Sequence, residues 1–285
     1  MRNYIGSLFL FFPLISRFLS FTPFSQLHAN ISSILSSYAY CEKKDYDKIV
    51  FTGSATGFKL TDVIHDKGKT DIQGYMGVLP SIGSSSDASL YIVFRGSSSI
   101  RNWVEDAEIK KVEYTTFPEC HCKVHKGFYN SALSIMDQIR NSDTIHNAKS
   151  IIVTGHSYGA AVAQLVGMEL ATKIDPGKIA VYNFGQPRVG DYNYSRFVNN
   201  RIPLWRVVHA KDLVPHVPPM DYGFDYYHSC TEIFEDSESN VRKCSDVNCE
   251  DPTCGQQYAM RETNVKDHDT YLGVEMTCNL FIYIK

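Results

Sequence analysis

Ser157 is the residue around which a chemistry can be built. It stands in Gly155-His156-Ser157-Tyr158-Gly159, behind the apolar run Ile151-Ile152-Val153 and ahead of Ala160, Ala161, Ala163, Leu165, Val166 and Met168. The first run predicts a buried strand and the second a helix with a small apolar face, so the serine falls on the turn between them. A hydroxyl projecting from so tight a turn needs neighbours without bulk, which Gly155 and Gly159 supply. The pentapeptide by itself reads equally well as a chance strand-to-helix turn; the flanking strand and helix favour a nucleophile.

A serine hydroxyl is a poor nucleophile near neutral pH. It needs a histidine to take its proton and a carboxylate to orient that histidine. Leu204-Trp205-Arg206-Val207-Val208-His209-Ala210 predicts a strand, broken at its carboxyl end by Lys211-Asp212-Leu213-Val214-Pro215. Asp212 is therefore placed where an acid can reach a histidine, although alone it also fits an ordinary turn aspartate. Among 10 histidines, order singles out His268, in the polar loop from Val265 to Gly273. In an α/β hydrolase the partners follow as Ser, Asp, His, and His209 and His216 sit too near Asp212 in sequence to be the first choice.

Charge developing on an ester oxygen needs donors aimed at it. Leu90-Tyr91-Ile92-Val93-Phe94 predicts a buried strand that ends in Arg95-Gly96-Ser97. Ser97 offers its hydroxyl and its backbone N–H, and the second donor is the backbone N–H of Tyr158, the residue after the nucleophile. Beyond Ser97, Ile100, Trp103, Val104 and Ala107 recur at helical spacing in a short amphipathic piece. It fits a lid that covers an apolar cleft in water and rolls back on lipid, and equally a fixed surface helix with its apolar face in the core, which is the default reading of sequence alone.

Taken together these stretches resemble the class 3 lipases, the filamentous-fungal triacylglycerol lipase family. The resemblance rests on Phe94 to Trp103 as oxyanion loop and lid, Val124-His125-Lys126-Gly127-Phe128 as a strand-to-helix step, and Gly155 to Gly159 as the elbow. Asn183 to Gly190, Asp212 to Pro219 and Asp267-His268-x-x-Tyr271-x-Gly273 continue it in order, from about Ala39 to the region of Cys278. It implies an α/β-hydrolase fold with a central, mostly parallel sheet, flanking helices and a short lid helix. It implies Ser157, Asp212 and His268 as triad, with Ser97 and Tyr158 as oxyanion hole. Tyr158 stands where the family usually has leucine and Ala160 where it has a second glycine, departures that bear on acyl-chain preference rather than on catalysis.

At the amino terminus Ile5 to Ile15 is an apolar block behind a single positive charge, too short for a membrane helix and interrupted by Pro13. It reads as a signal peptide within residues 1–25, cleaved between Ser16 and Ser25, ahead of one domain at 26–285. With 8 cysteines the chain is then expected to be secreted or lumenal and disulfide-bonded. The resemblance implies Cys41 with Cys278 and Cys244 with Cys254, and leaves Cys120, Cys122, Cys230 and Cys249 unpaired by sequence. Asn30 and Asn193 head glycosylation sequons. The spacing Cys120-His121-Cys122 argues against zinc. The acidic stretch from Glu232 to Asp251 reads as a solvated, disulfide-closed loop without a proper calcium pattern. A formal net charge of −3, from 28 basic and 31 acidic residues, argues against nucleic acid as a partner.

The expected function is a secreted, cofactor-free and metal-free serine ester hydrolase. It would be monomeric, with no transmembrane span, acting on long-chain acylglycerols at a lipid–water interface. A phospholipase or feruloyl-type esterase on the same scaffold is the alternative, as is a lipid-binding relative without activity, against which the retained triad speaks.

Overall fold

The computed structural model describes residues 23–66, 70–80, 88–97, 109–247 and 249–278. Its frame is an eight-stranded sheet. In chain order the strands are β1 (Lys59–His65), β2 (Gln73–Leu79), β3 (Ser89–Phe94), β4 (Lys111–Glu113), β5 (Lys123–His125), β6 (Ser150–His156), β7 (Ile179–Phe184), β8 (Leu204–His209), β9 (Glu232–Glu235), β10 (Val241–Lys243), β11 (Thr270–Tyr271) and β12 (Val274–Glu275). The large sheet runs β1-β2-β3-β6-β7-β8-β9-β10, while β4 pairs with β5 and β11 with β12. β3, β6, β7, β8 and β9 pair in parallel, and antiparallel pairs lie at both ends. The mostly parallel sheet expected from the sequence is therefore present, and its carboxyl end is where ligands of such sheets are handled.

Period-two alternation along the strands sorts the side chains into layers. Leu90, Ile92, Phe94, Ile151, Val153 and Val181 enter one core. Tyr91, Val93, Ile152, Tyr182 and Trp205 enter another on the opposite face. The aromatic face is covered by α1 (Gln26–Tyr38), whose first turn is capped by the Ser25 side chain accepting from the His28 N–H at 3.3 Å. The Tyr75 hydroxyl, from β2, donates to Leu35 O of that helix at 2.6 Å. The aliphatic face is covered by α2 (Lys126–Arg140) and α4 (Tyr158–Leu170), with α3 (Asp143–His146) and α5 (Tyr192–Asn199) beside them.

The helix after the elbow departs from its expected single apolar face. In α4 every residue from Gly159 to Leu170 is buried, because the helix is sandwiched between the sheet and α2. Its two polar interior residues are accordingly paired. Gln164 donates to Ser229 Oγ at 3.0 Å and accepts from Gln186 at 2.6 Å. Glu169, whose carboxyl is pushed up by burial, accepts from Thr116 and pairs with Arg140 at 3.3 Å.

The disulfides are Cys41–Cys278, Cys120–Cys122, Cys230–Cys249 and Cys244–Cys254. The first and last agree with the family resemblance; the other two join the cysteines that sequence could not pair. The acidic stretch needs correction. Glu232 and Glu235 are buried and Glu250 half-buried rather than solvated: Arg206 meets Glu232 at 3.4 Å, Arg188 meets Glu250 at 2.9 Å, and Glu235 accepts from the Leu272 N–H at 2.8 Å. Glu232 also lies near Cys244 and Cys254, but both sulfurs are committed to their disulfide.

Candidate active site

The elbow is built by close backbone approach. At Ser157 the chain turns from β6 into α4 with φ 58° and ψ −126°, a strained conformation for a residue with a side chain. A Cβ on Gly155 would lie 2.5 Å from the Gly159 carbonyl, and one on Gly159 would lie 2.5 Å from the carbonyl oxygens of Phe94 and Arg95. The two glycines flanking Ser157 are thus demanded by the packing of the turn against itself and against the end of β3. The Ser157 N–H donates to Phe184 O at 2.9 Å, which pins the turn to the neighbouring strand.

Asp212 lies just past β8 and His268 in a 3-10 turn at Lys266–Asp269. From this otherwise polar turn His268 alone is buried: Ser157, Asp212 and His268 are each 0% exposed. The His268 Nδ1 lies 2.9 and 3.0 Å from the two Asp212 carboxylate oxygens. The carboxylate also accepts from the Val214 N–H at 2.8 Å and from the Tyr271 hydroxyl. Burial and the Asp212 charge hold the Tyr271 phenol far above its ordinary pKa, so it stays a donor. A carboxylate only accepts, so Nδ1 carries the proton and Nε2 presents its lone pair. Ser157 Oγ and His268 Nε2 are both buried and have no hydrogen-bond partner among the described residues. A serine–histidine hydrogen bond that forms only once substrate is bound is common at such sites.

His209 and His216 turn elsewhere. His209 Nδ1 meets Asp267 O at 2.9 Å. His216 is a buried residue whose pKa is lowered by burial and by Arg188, and its carbonyl accepts from Arg188 at 2.7 Å. Asp267, next to the candidate base, supports the loop instead by accepting from the Lys211 N–H at 3.0 Å.

Ser97 and Tyr158 border a cleft of about 420 Å³ whose described lining also includes Asp71, Lys126 and Asn130. The Tyr158 hydroxyl lies 2.6 Å from Ser131 Oγ and 3.3 Å from Gly127 O, and its ring packs edge-on to Phe128. Burial raises this phenol's pKa. The unusual tyrosine is thus tied to α2 by its hydroxyl. The candidate lid residues Ile100, Trp103 and Val104 lie outside the described residues. Of the sequon asparagines, Asn193 is exposed and Asn30 half-buried on α1. Sequence reasoning assigned no role to Tyr271, although the spacing Asp267-His268-x-x-Tyr271 carried it, nor to His156 and Tyr40.

Residues 91–222 match the family model for class 3 lipases. A lipase of Rhizomucor miehei is 36% identical over 202 residues, 66% of this chain and 53% of that protein. A secreted mono- and diacylglycerol lipase of Malassezia globosa is 25% identical over 248 residues, 84% of this chain and 78% of that protein. The crystal structure of Rhizomucor miehei triacylglyceride lipase superposes with a TM-score of 0.76 at 28% identity, covering 88% of this chain and 95% of that one. The chain spans about half the length of the Rhizomucor and Rhizopus relatives it matches. With a mostly parallel sheet carrying the Ser157 turn at the end of β6 and Asp212 just past β8, it belongs to the class 3 lipase family.

Proposed function

We propose that the chain is a serine ester hydrolase acting on long-chain acylglycerols, with Ser157 as nucleophile. The observation that carries the reading is the buried His268–Asp212 pair beside a serine on a strained elbow. His268 Nε2 removes the Ser157 proton as Oγ attacks the ester carbonyl, and Asp212 stabilises the imidazolium that forms. The carbonyl oxygen becomes an oxyanion held by Ser97 and the Tyr158 N–H. Collapse breaks the ester C–O bond, and His268 returns its proton to the departing alcohol. Water then enters, gives a proton to His268 and attacks the acyl-enzyme; the C–Oγ bond breaks, His268 returns the proton to Ser157 Oγ, and the fatty acid leaves.

The test is hydrolysis of emulsified long-chain triglyceride beside a soluble short-chain ester and a phospholipid. Activity confined to the soluble ester, or to phospholipid, overturns the acylglycerol reading. Partial glycerides are the second reading, favoured by the polar side chains of Asp71, Lys126 and Asn130 in the described lining of the cleft. Monoacylglycerol would then be cleaved faster than triglyceride at equal interface.

The lid belongs to the same proposal. Trp103→Ala is expected to weaken hydrolysis of emulsified ester far more than that of soluble ester, since an amphipathic ring anchors at an interface. Equal losses would leave the segment as a fixed helix. Secretion as a glycosylated monomer, with carbohydrate at Asn30 and Asn193, also stands as a proposal. No helix among the described residues is long and apolar enough to cross a membrane. Ser25 caps α1, and the Phe24 ring lies 6.1 Å from that of Tyr182 and 6.2 Å from that of Trp205. Cleavage of a signal peptide on the amino side of Phe24 would preserve these contacts; amino-terminal sequencing of the secreted protein tests it.

A further inference from the structure

His156 precedes the nucleophile, is 2% exposed, and takes no part in the proton transfers above. Both of its ring nitrogens are engaged. Nε2 lies 2.9 Å from the backbone carbonyl of His268, and Nδ1 lies 2.6 Å from the Tyr40 hydroxyl. A carbonyl only accepts, so Nε2 carries the proton; Nδ1 of the neutral ring is then the acceptor and Tyr40 the donor. Burial, with the His268 ring beside it, holds His156 well below the usual histidine range, and burial pushes the Tyr40 phenol up. Both groups stay neutral and the tautomer is fixed. The His156 and His268 rings also lie against each other, with centroids 4.3 Å apart.

The other end of this arrangement touches the oxyanion loop. A Cβ on Gly96 would fall 2.2 Å from the Tyr40 hydroxyl oxygen and 2.9 Å from both His156 O and Ser157 Cβ. Gly96 is bonded to Ser97, so the Tyr40 hydroxyl is wedged between the peptide that delivers the oxyanion donor and the ring that holds the base. Tyr40 is itself fixed on both sides. Gln73 Nε2 donates to Ala39 O at 3.3 Å and to Cys41 O at 3.4 Å, and Cys41 is tied to Cys278.

We propose that Tyr40 and His156 form a positioning relay that couples the Gly96-Ser97 loop to the main chain of His268 and so sets the spacing between oxyanion donor and general base. The relay rests on the reading of Ser157, His268 and Ser97 given above. It touches no reacting atom. Its loss lets two groups that act together in the transition state drift apart, which lowers kcat and leaves substrate binding alone.

The experiment compares Tyr40→Phe, His156→Gln, His156→Leu and the Tyr40→Phe/His156→Leu double variant. Active serines are counted with an organophosphonate, and kcat per titrated serine and KM are measured on a soluble short-chain ester. Tyr40→Phe is expected to lose about 10-fold to 30-fold in kcat per titrated site with KM within about twofold, because small misplacements of acting groups carry losses of that order. His156→Gln keeps one acceptor and one donor and should retain the rate to within about threefold. His156→Leu keeps neither and should fall at least as far as Tyr40→Phe. Once the relay is cut, a second cut adds nothing, so the double variant should match His156→Leu. Losses that multiply, a Gln variant no better than the Leu variant, or parental kcat in Tyr40→Phe would each overturn the relay. A parent that hydrolyses no ester and takes up no phosphonate overturns the nucleophile reading and the relay together. A labelled, active parent with an unimpaired Tyr40→Phe overturns the relay alone.

Discussion

A single buried oxygen separates chemistry from structure at Ser157. Its Oγ is buried and bonds to no described partner, so Ser157→Ala removes the proposed nucleophile without breaking a hydrogen bond. Ester hydrolysis should disappear while the thermal midpoint stays at or above the parent's; activity beyond a trace in the folded variant would show another nucleophile. Tyr271 stands in the opposite position, since its hydroxyl is one of the donors that hold the Asp212 carboxylate. Tyr271→Phe leaves that buried charge with one donor fewer, and hydrogen bonds to charged groups are worth about 1.5–3 kcal/mol. An orientation loss of part of that energy lowers kcat/KM about 10-fold. An unchanged kcat/KM would mean that Val214 and His268 alone suffice to orient the acid.

At the scale of elements, the parts legible in sequence were those whose local chemistry is also their structural reason. The run Ile151-Ile152-Val153 had to be a buried strand, and Gly155 and Gly159 had to flank a turn. Tyr40 and His156 were silent because nothing local distinguishes them: they meet only when α1 folds across the sheet, 116 residues apart in sequence. The acidic stretch after β8 misled for a related reason, since Glu232 and Glu250 are drawn inward by Arg206 and Arg188, which lie elsewhere in the sequence.

The disulfides differ in the same way, by the span that they close. Cys41–Cys278 joins residues 237 apart and Cys120–Cys122 residues 2 apart. On chain entropy the first constrains the unfolded state by about 5 kcal/mol and the second by about 2 kcal/mol. Denaturant unfolding of Cys41→Ala/Cys278→Ala should therefore show a clearly larger loss than that of Cys120→Ala/Cys122→Ala. Equal losses would mean that the two bridges act through native contacts rather than through loop closure.

For the molecule as a whole, buried imidazoles set its response to acid. Burial lowers the pKa of His156, His216 and His228 from the ordinary 6.5, with Arg188 adding to the effect at His216 and both Arg206 and Arg188 at His228. Below pH 6.5 the unfolded chain binds protons that the folded chain refuses, so stability falls as pH falls, by up to about 1.4 kcal/mol per pH unit for each histidine. Glu169, Glu232 and Glu235 work against this, since burial raises them above 4.5 and their contribution is present below that value and lost as pH rises through the folded one. One substitution isolates the histidine side. His228 Nε2 meets Pro215 O at 2.8 Å, a contact that His228→Gln can keep with an amide N–H while removing the titration. Stability measured by denaturant unfolding from pH 7.5 down to 5.5 should then fall less steeply on the acid side of 6.5, by about 1.4 kcal/mol per pH unit relative to the parent. A slope identical to the parent's would show that His228 protonates in the folded protein as readily as in the unfolded chain.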